Sequence, residues 1–367
     1  MWPYWIMFLV PSWMALNTTP GGGPIPKQFR MARATFPSTI IWLSLTLLVG
    51  FRFEVGGDWY NYLRFLNEGR LDFVDTLFKP DPAYHALNWL SVNMGFGIIG
   101  VNVIGSGIFA LGLTLFCRAQ PQPWLALAVA IPYLVIVVGM GYSRQAIALG
   151  IEMIGLLALT NLSTKKFVFS TFAAGAFHKS ALLLLPIGAL SSSSNRYWTA
   201  TWVGASALAC YYLLLEKESD AYVRNYIGGQ MQSSGAALRL MMNAVPSVIF
   251  LFRRSKFSFS RAEASLWGWL SLISILLLIL LIVMPTASTA LDRMALYMLP
   301  LQIIVFSRLP MLLGSRGSYE QQMISSSAST ATATIAVLSY YGLVLFVWLN
   351  YADNAYAWRE YKFYLLE

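Results

Sequence analysis

Residues 37–51 read PSTIIWLSLTLLVGF and run straight into Arg52-Phe53-Glu54-Val55-Gly56-Gly57-Asp58-Trp59-Tyr60-Asn61-Tyr62. An apolar run of helical length satisfies its own backbone and can lie in hydrocarbon. An arginine, two acids and a glycine pair are costly there. The junction reads as a membrane surface, where an anionic lipid headgroup meets a carboxylate. Gly56 and Gly57 open backbone conformations closed to other residues and allow a close approach. Trp59 and Tyr60 suit the interface or a sugar face. The plainer alternative is an interfacial loop whose Arg52 snorkels to headgroups.

The rest of the chain repeats this alternation. Of 367 residues, 57% are hydrophobic and 11% charged, with a mean hydropathy of +0.59; an ordinary soluble domain carries about 25% charged residues. Spans are expected near 2–16, 37–51, 98–117, 123–141, 143–161, 167–178, 180–190, 197–215, 236–252, 264–284, 290–307 and 331–350. The expected fold is an all-α polytopic membrane protein of about 12 spans (about 11 to 14), forming a single integral domain over 1–367. An external amphipathic and re-entrant segment occupies 52–97, and an external loop 216–235. The first apolar helix has no positive residue before it, whereas Lys27, Arg30 and Arg33 follow. That is the reverse of a secretory signal, so the helix is expected to be retained with its amino end outside.

The net charge of +9 calls for no nucleic-acid partner, because of where it sits. Cations gather in alternate connectors: Lys27/Arg30/Arg33, Arg118, Lys165/Lys166, Arg196, Arg253/Arg254/Lys256/Arg261 and Arg308/Arg316. This is the positive-inside pattern, and it sets orientation. A full crossing by 81–97 would put Arg118 outside, so that segment is read as interfacial or re-entrant. Likewise 167–190 is read as two short helices meeting at His178, since one crossing would place the Arg253–Arg261 cluster outside. Cys117 and Cys210 lie in apolar helices and read as packing thiols. With two histidines and no Asp-x-Asp pair, no metal or cofactor is expected.

Under this topology five polar groups share the external face: Arg52–Tyr62, Arg144-Gln145, His178-Lys179-Ser180, Asp292-Arg293 and the tail from Tyr351. Arg144 stands at a helix start, where free N–H groups and the dipole already favour anions. Its guanidinium would add a fork suited to a diphosphate. His178 is a candidate general base, and Lys179 can neutralise charge. Asp58, carried on the glycine bend, is the other candidate base. Asp81, followed by Pro82, reads best as a helix N-cap. Asp292 pairs with Arg293 or another cation. Glu152, two turns after Arg144, either orients it or pairs elsewhere. The aromatic tail from Tyr351 reads as an interfacial belt or, alternatively, a saccharide-binding lip. Residues 64–82 read as an amphipathic segment on the bilayer surface.

These stretches, in this order, resemble the EpsG/Wzy-type exopolysaccharide polymerases. Arg52–Tyr62 is similar to their Arg-x-x-x-Gly-x-Asp-x-x-x-Tyr signature, and Asp81-Pro82-Ala83-Tyr84 to an acidic-Pro-x-Tyr/Phe step in which Glu is commoner. Arg144-Gln145 resembles an Arg-Gln step, and Phe177-His178-Lys179-Ser180-Ala181 a Phe-His-x-Ser-Ala element. Arg293 with Tyr297 resembles an Arg followed one turn later by Tyr. The resemblance implies a fold similar to GT-C membrane glycosyltransferases. It implies a glycosyltransferase that joins undecaprenyl-diphosphate-linked repeat units at the outer face of the bacterial cytoplasmic membrane and releases lipid diphosphate. Asp58, His178 and Arg144 are the implied catalytic residues. Arg52, Glu54, Tyr62, Gln145, Lys179, Arg293 and Tyr297 are the implied substrate-binding residues. Expected partners are the lipid-linked glycans, membrane lipids, and chain-length-regulator and flippase proteins. The alternatives are an O-antigen ligase, a lipid-linked-sugar transferase and, in a different class, a flippase or transporter.

Overall fold

A computed structural model describes residues 1–18, 36–68, 72–161, 163–192, 197–198, 201–202, 204–205, 235–314 and 319–367. The expected span 197–215 and the loop 216–235 lie almost wholly outside the described residues. So do Lys27, Arg30, Arg33, Arg196, Arg316 and Cys210.

The protein is an all-α membrane protein. Six helices are long and apolar enough to cross a bilayer: Gly97–Arg118, Ser143–Thr160, Ala236–Phe257, Arg261–Val283, Pro285–Phe306 and Ser329–Tyr351. Shorter apolar helices cover Pro37–Gly50, Pro123–Gly139 and Lys179–Gly188. In chain order the elements begin with α1 (Trp2–Asn17), α2 (Phe36–Gly50), β1 (Arg52–Phe53), α3 (Trp59–Glu68), α4 (Phe73–Leu77) and α5 (Pro82–Asn93). They continue with α6 (Gly97–Arg118), α7 (Pro123–Ala130), α8 (Ser143–Thr160), α9 (Thr164–Phe177) and α10 (Leu185–Ser192). The second half holds α11 (Ala236–Arg253), α12 (Arg261–Val283), α13 (Ser288–Ala295), α14 (Leu299–Phe306), α15 (Leu309–Gly314) and α16 (Tyr319–Tyr351). A tail follows, ending in β2 (Lys362–Phe363).

The helix begun by α7 is the axis of the bundle. Leu125 to Met140 are buried throughout, against α1, α6, α14 and α16. Pro132 lacks the N–H that an α ladder needs, and Ile131–Gly139 runs as a π-helix, a wider spiral concentrated at functional sites. Beside it α6 and α8 cross at two glycines: a Cβ on Gly112 would lie 1.9 Å from the Gly150 carbonyl oxygen. Small residues at such a crossing let helix backbones approach closely, which drives packing where lipid offers no hydrophobic contrast.

The two ends of the bundle differ. At one, Arg308 is buried, donates to Gln120 and lies 4.9 Å over the Phe259 ring. The basic connectors 118–122, 253–261 and 307–308 therefore meet. At the other end lie Phe51–Asp58, Met140–Arg144, His178, Asp292 and the tail. The α5 helix begins at this second end with Asp81, and α6 also starts there. The 12 residues of α5 measure about 18 Å, short of the ~30 Å of hydrocarbon. Helix α9 climbs to His178, and the chain returns through a 3-10 helix (Lys179–Leu184) and α10. Close approaches of Gly175 to Leu182 and of Gly188 to Phe167 zip the two arms together. The break at His178 is a hairpin tip.

The amphipathic stretch expected over 64–82 forms α3 and α4. Phe73, Val74, Leu77 and Phe78 are exposed on α4 and the turn after it, while Phe65 and Leu66 pack inward.

Candidate functional site

Three of the sequence stretches converge on one carboxylate. Asp81 stands before α5 in the left-handed region, at φ 58° and ψ 56°, and its side chain makes no capping bond. The capping expectation is thus corrected: the unusual backbone turns the carboxylate away from its own helix. Its Oδ2 accepts from Arg144 Nη1 at 2.7 Å and lies 3.3 Å from His178 Nδ1, while Oδ1 accepts from the Lys179 backbone N–H at 2.9 Å. Asp81 is 3% exposed. Burial by itself would raise its carboxyl pKa. The hydrogen bond and charge of His178, the charge of Arg144 and the Lys179 N–H outweigh this and hold it below the usual carboxylate value.

Arg144 uses one guanidinium nitrogen on Asp81 and lies 4.6 Å over the Phe65 ring. Its other guanidinium N–H groups have no partner among the described residues, and its side chain is 24% exposed. The charges of Arg144 and Arg293 both reach His178. Those of Arg239, Asp292, Asp58 and Arg293 reach the Tyr142 ring. Arg144, His178, Lys179, Arg293 and Asp58 therefore belong to one end of the bundle, opposite the basic connectors. Ser180 Oγ lies 3.2 Å from the Tyr297 hydroxyl, tying the His178 turn to the stretch that carries Arg293. Tyr62, 5% exposed, packs on Tyr84 at 5.9 Å.

Other expected site residues have different surroundings. Arg52 is 2% exposed. It donates to the Met140 carbonyl (2.9 Å), the Val49 carbonyl (2.6 Å), Ser143 Oγ (2.7 Å) and Asn102 Oδ1 (3.2 Å). It is a bracket that joins the ends of α2 and the π-helix to the start of α8, beneath the cluster. Glu54, at φ 52°, pairs with Lys362 at 2.6 Å on an exposed edge. Gln145 is buried, and its amide nitrogen has no partner among the described residues. Asp292 pairs with Arg239 of α11, at 2.6 and 2.7 Å. Glu152 turns away from Arg144 into the α8–α9 interface, beside Thr171.

The glycine pair does something other than admit a ligand. Gly56 has φ +109°, and a Cβ on it would lie 2.5 Å from the Met140 carbonyl oxygen; what approaches closely is another part of the chain. The tail is built in as well. Arg52 and Phe53 pair antiparallel with Phe363 and Lys362, Gly56 N–H donates to the Ala357 carbonyl at 3.0 Å, and Trp358 is 1% exposed. An interfacial belt describes Tyr351, Tyr356 and Tyr364, which are exposed, but not Trp358.

Sequence reading therefore missed Asp81 and Trp358. For Asp81 a signal existed in the acidic-Pro-x-Tyr resemblance, and the local capping pattern outweighed it. For Trp358 there was none, since the carbonyl its indole N–H bonds to lies 222 residues away.

No curated protein and no solved structure matches this chain. The EpsG family model matches residues 36–363, a stretch that holds every residue of this cluster, and the chain belongs to the EpsG family.

Proposed function

We propose that this protein is a polysaccharide polymerase, joining undecaprenyl-diphosphate-linked oligosaccharide repeat units at the outer face of the bacterial cytoplasmic membrane. The EpsG family is associated with polysaccharide polymerisation. The observation that carries the reading is the Asp81 carboxylate, which joins Arg144, His178 and the Lys179 backbone at the bundle end away from the basic connectors. In this reading the fold is GT-C-like with about 12 spans, the short apolar helices counting with the six long ones.

The reaction needs a base at the acceptor hydroxyl and positive charge at the departing diphosphate. Asp81 at Nδ1 of His178 leaves Nε2 as the acceptor of the hydroxyl proton, the arrangement by which a carboxylate fixes an imidazole tautomer. The acceptor oxygen then bonds to the anomeric carbon of the donor, and the bond from that carbon to the diphosphate oxygen breaks. Arg144, through its unengaged N–H groups, together with Lys179 and Arg293, receives the negative charge on the leaving lipid diphosphate. Asp58, half-exposed beside this group, binds a sugar hydroxyl and is the second candidate base. Flippase and chain-length-regulator proteins are the expected neighbours.

The test is reconstitution in liposomes with a synthetic polyprenyl-diphosphate-linked repeat unit. Mass spectrometry should show glycans of two or more units, with lipid diphosphate released in step, and His178→Ala should abolish both. Transfer of the lipid-linked unit across the bilayer without elongation would overturn the proposal in favour of a flippase.

A further inference from the structure

Two loops carry the candidate chemistry, Gly56-Gly57-Asp58 and Met140-Gly141-Tyr142-Ser143-Arg144; they meet where Gly56 approaches Met140 and Gly141, and one side chain packs against both beside that contact. The outer ring atoms of Trp358 lie 3.9 and 4.0 Å from the position a Gly57 Cβ would take. The same ring edge lies 2.6 Å from the position of a Gly141 Cβ. The Trp358 indole N–H donates to the Ile136 carbonyl of the π-helix at 2.9 Å. Its ring meets Trp348 edge to face at 5.6 Å. The residue before it, Ala357, receives the Gly56 N–H.

Gly141 is informative because its backbone does not require glycine. The positive-φ glycines among the described residues are Gly56, Gly95, Gly97 and Gly235, so an L side chain suits Gly141 conformationally. Only the Trp358 ring excludes it. A rigid, fully packed indole cannot yield the several tenths of an ångström that such an overlap demands. Gly141 and Trp358 therefore form a matched pair, and the indole backs the Gly56–Met140 contact from one side, holding the loop that presents Asp58 and the loop that presents Arg144 in register.

We propose that Trp358 is a positioning residue, a wedge from the C-terminal tail that fixes the Asp58 loop against the Arg144 loop. The proposal rests on the polymerase reading for its effect on rate, and on geometry alone for its effect on the loops. A shift of about 1 Å in a reacting group can cost about 10²-fold in rate, so a wedge remote from the chemistry can govern turnover.

The experiment compares Gly141→Ala, Trp358→Phe and the double variant in the full-length protein. One readout is elongation of the synthetic lipid-linked repeat unit. The other is the distance distribution between spin labels on Tyr60→Cys, just past the Asp58 loop, and Phe346→Cys on α16. Gly141→Ala alone should displace or broaden the distribution and lower kcat about tenfold or more, with KM changed less than about threefold. Trp358→Phe, which shortens the ring edge facing Gly141, should restore both in the double variant. A Gly141→Ala protein with wild-type distances and turnover would overturn the wedge, as would a double variant no better than the single one. If the distances shift and recover while the wild-type protein elongates nothing, the wedge stands and the polymerase reading fails.

Discussion

At the scale of single residues, Asp81 decides what Arg144 and His178 can do. Asp81→Asn keeps an acceptor for the Lys179 N–H but offers the rest of the cluster an amide in place of a carboxylate. Elongation should fall about 10²-fold or more, the scale of a lost general base, and parallel turnover in wild type and variant would remove Asp81 from the mechanism. The pH dependence has a definite sign. The folded-state pKa of Asp81 is depressed, so its stabilisation is fully present above the unfolded value of about 3.9 and is lost as pH falls through the lower folded value. The gap in Tm between wild type and Asp81→Asn should hold from about pH 8 to about pH 5 and close only below about pH 4. A gap closing near pH ~6 would assign the titration to His178. Arg144→Lys keeps a charge but loses both the fork and the stack on Phe65. It should lose about tenfold or more of the elongation rate, the cost of one charged hydrogen bond. Wild-type rate and chain length in this variant would leave Arg144 as an interfacial anchor.

Elements hold these residues by close approach. Helices α6 and α8 touch at Gly112 and Gly150, where a Cβ on either would strike the other helix's backbone, at 1.9 Å and 2.6 Å. Gly112→Ala must separate them, and α8 carries Arg144 on its first turn. The expected cost is about 1–3 kcal/mol, the scale of overpacking, read as a lower Tm of the detergent-solubilised protein. Gly107→Ala on the same helix is the control, because a Cβ there meets only Thr46 side-chain atoms, at 3.6 Å and beyond. Equal Tm values for the two variants would mean that the crossing is looser than described. Elements were also where sequence reasoning did best. Positive-inside parity called for a break at His178, and α9 ends at Phe177 with a 3-10 helix starting at Lys179; parity also keeps α5 on one side of the membrane, which the labelling below tests. Parity works because every added crossing flips all later charges.

For the molecule as a whole, the arrangement predicts that Asn93, exposed at the end of α5, and Lys165, exposed at the start of α9, lie on opposite sides of the membrane. In cells carrying Asn93→Cys, an impermeant maleimide should label from outside. Lys165→Cys should label only after permeabilisation. Labelling of both from the same side would invert a helix and reject the external placement proposed for Arg144 and His178. The tail adds a second whole-molecule feature. Tyr361 donates to the Leu48 carbonyl at 2.6 Å, Arg359 receives the amino terminus at 3.3 Å, and Tyr364 N–H bonds to the Phe51 carbonyl at 2.8 Å. The two ends of the chain thus close on the Arg52 junction.

By itself the sequence determined the class of protein, the positions of most helices and which short stretches would gather at one end. Those follow from local hydropathy and charge, because the bilayer penalises every buried polar group wherever it falls. Tertiary structure alone decided which of the gathered residues keep polar groups open to a ligand and which hold the frame. Arg52 and Arg144 look alike in sequence, each a cation next to an apolar helix. In the folded chain one spends its donors on backbone carbonyls and neighbouring side chains, while the other keeps N–H groups unengaged. Asp81 looked like a cap because capping is a local pattern, and its partners Arg144 and His178 arrive from 63 and 97 residues away. Gly141 is held to glycine by the Trp358 ring, which comes from the far end of the chain. Such distinctions depend on contacts between residues distant in sequence, which no local pattern encodes.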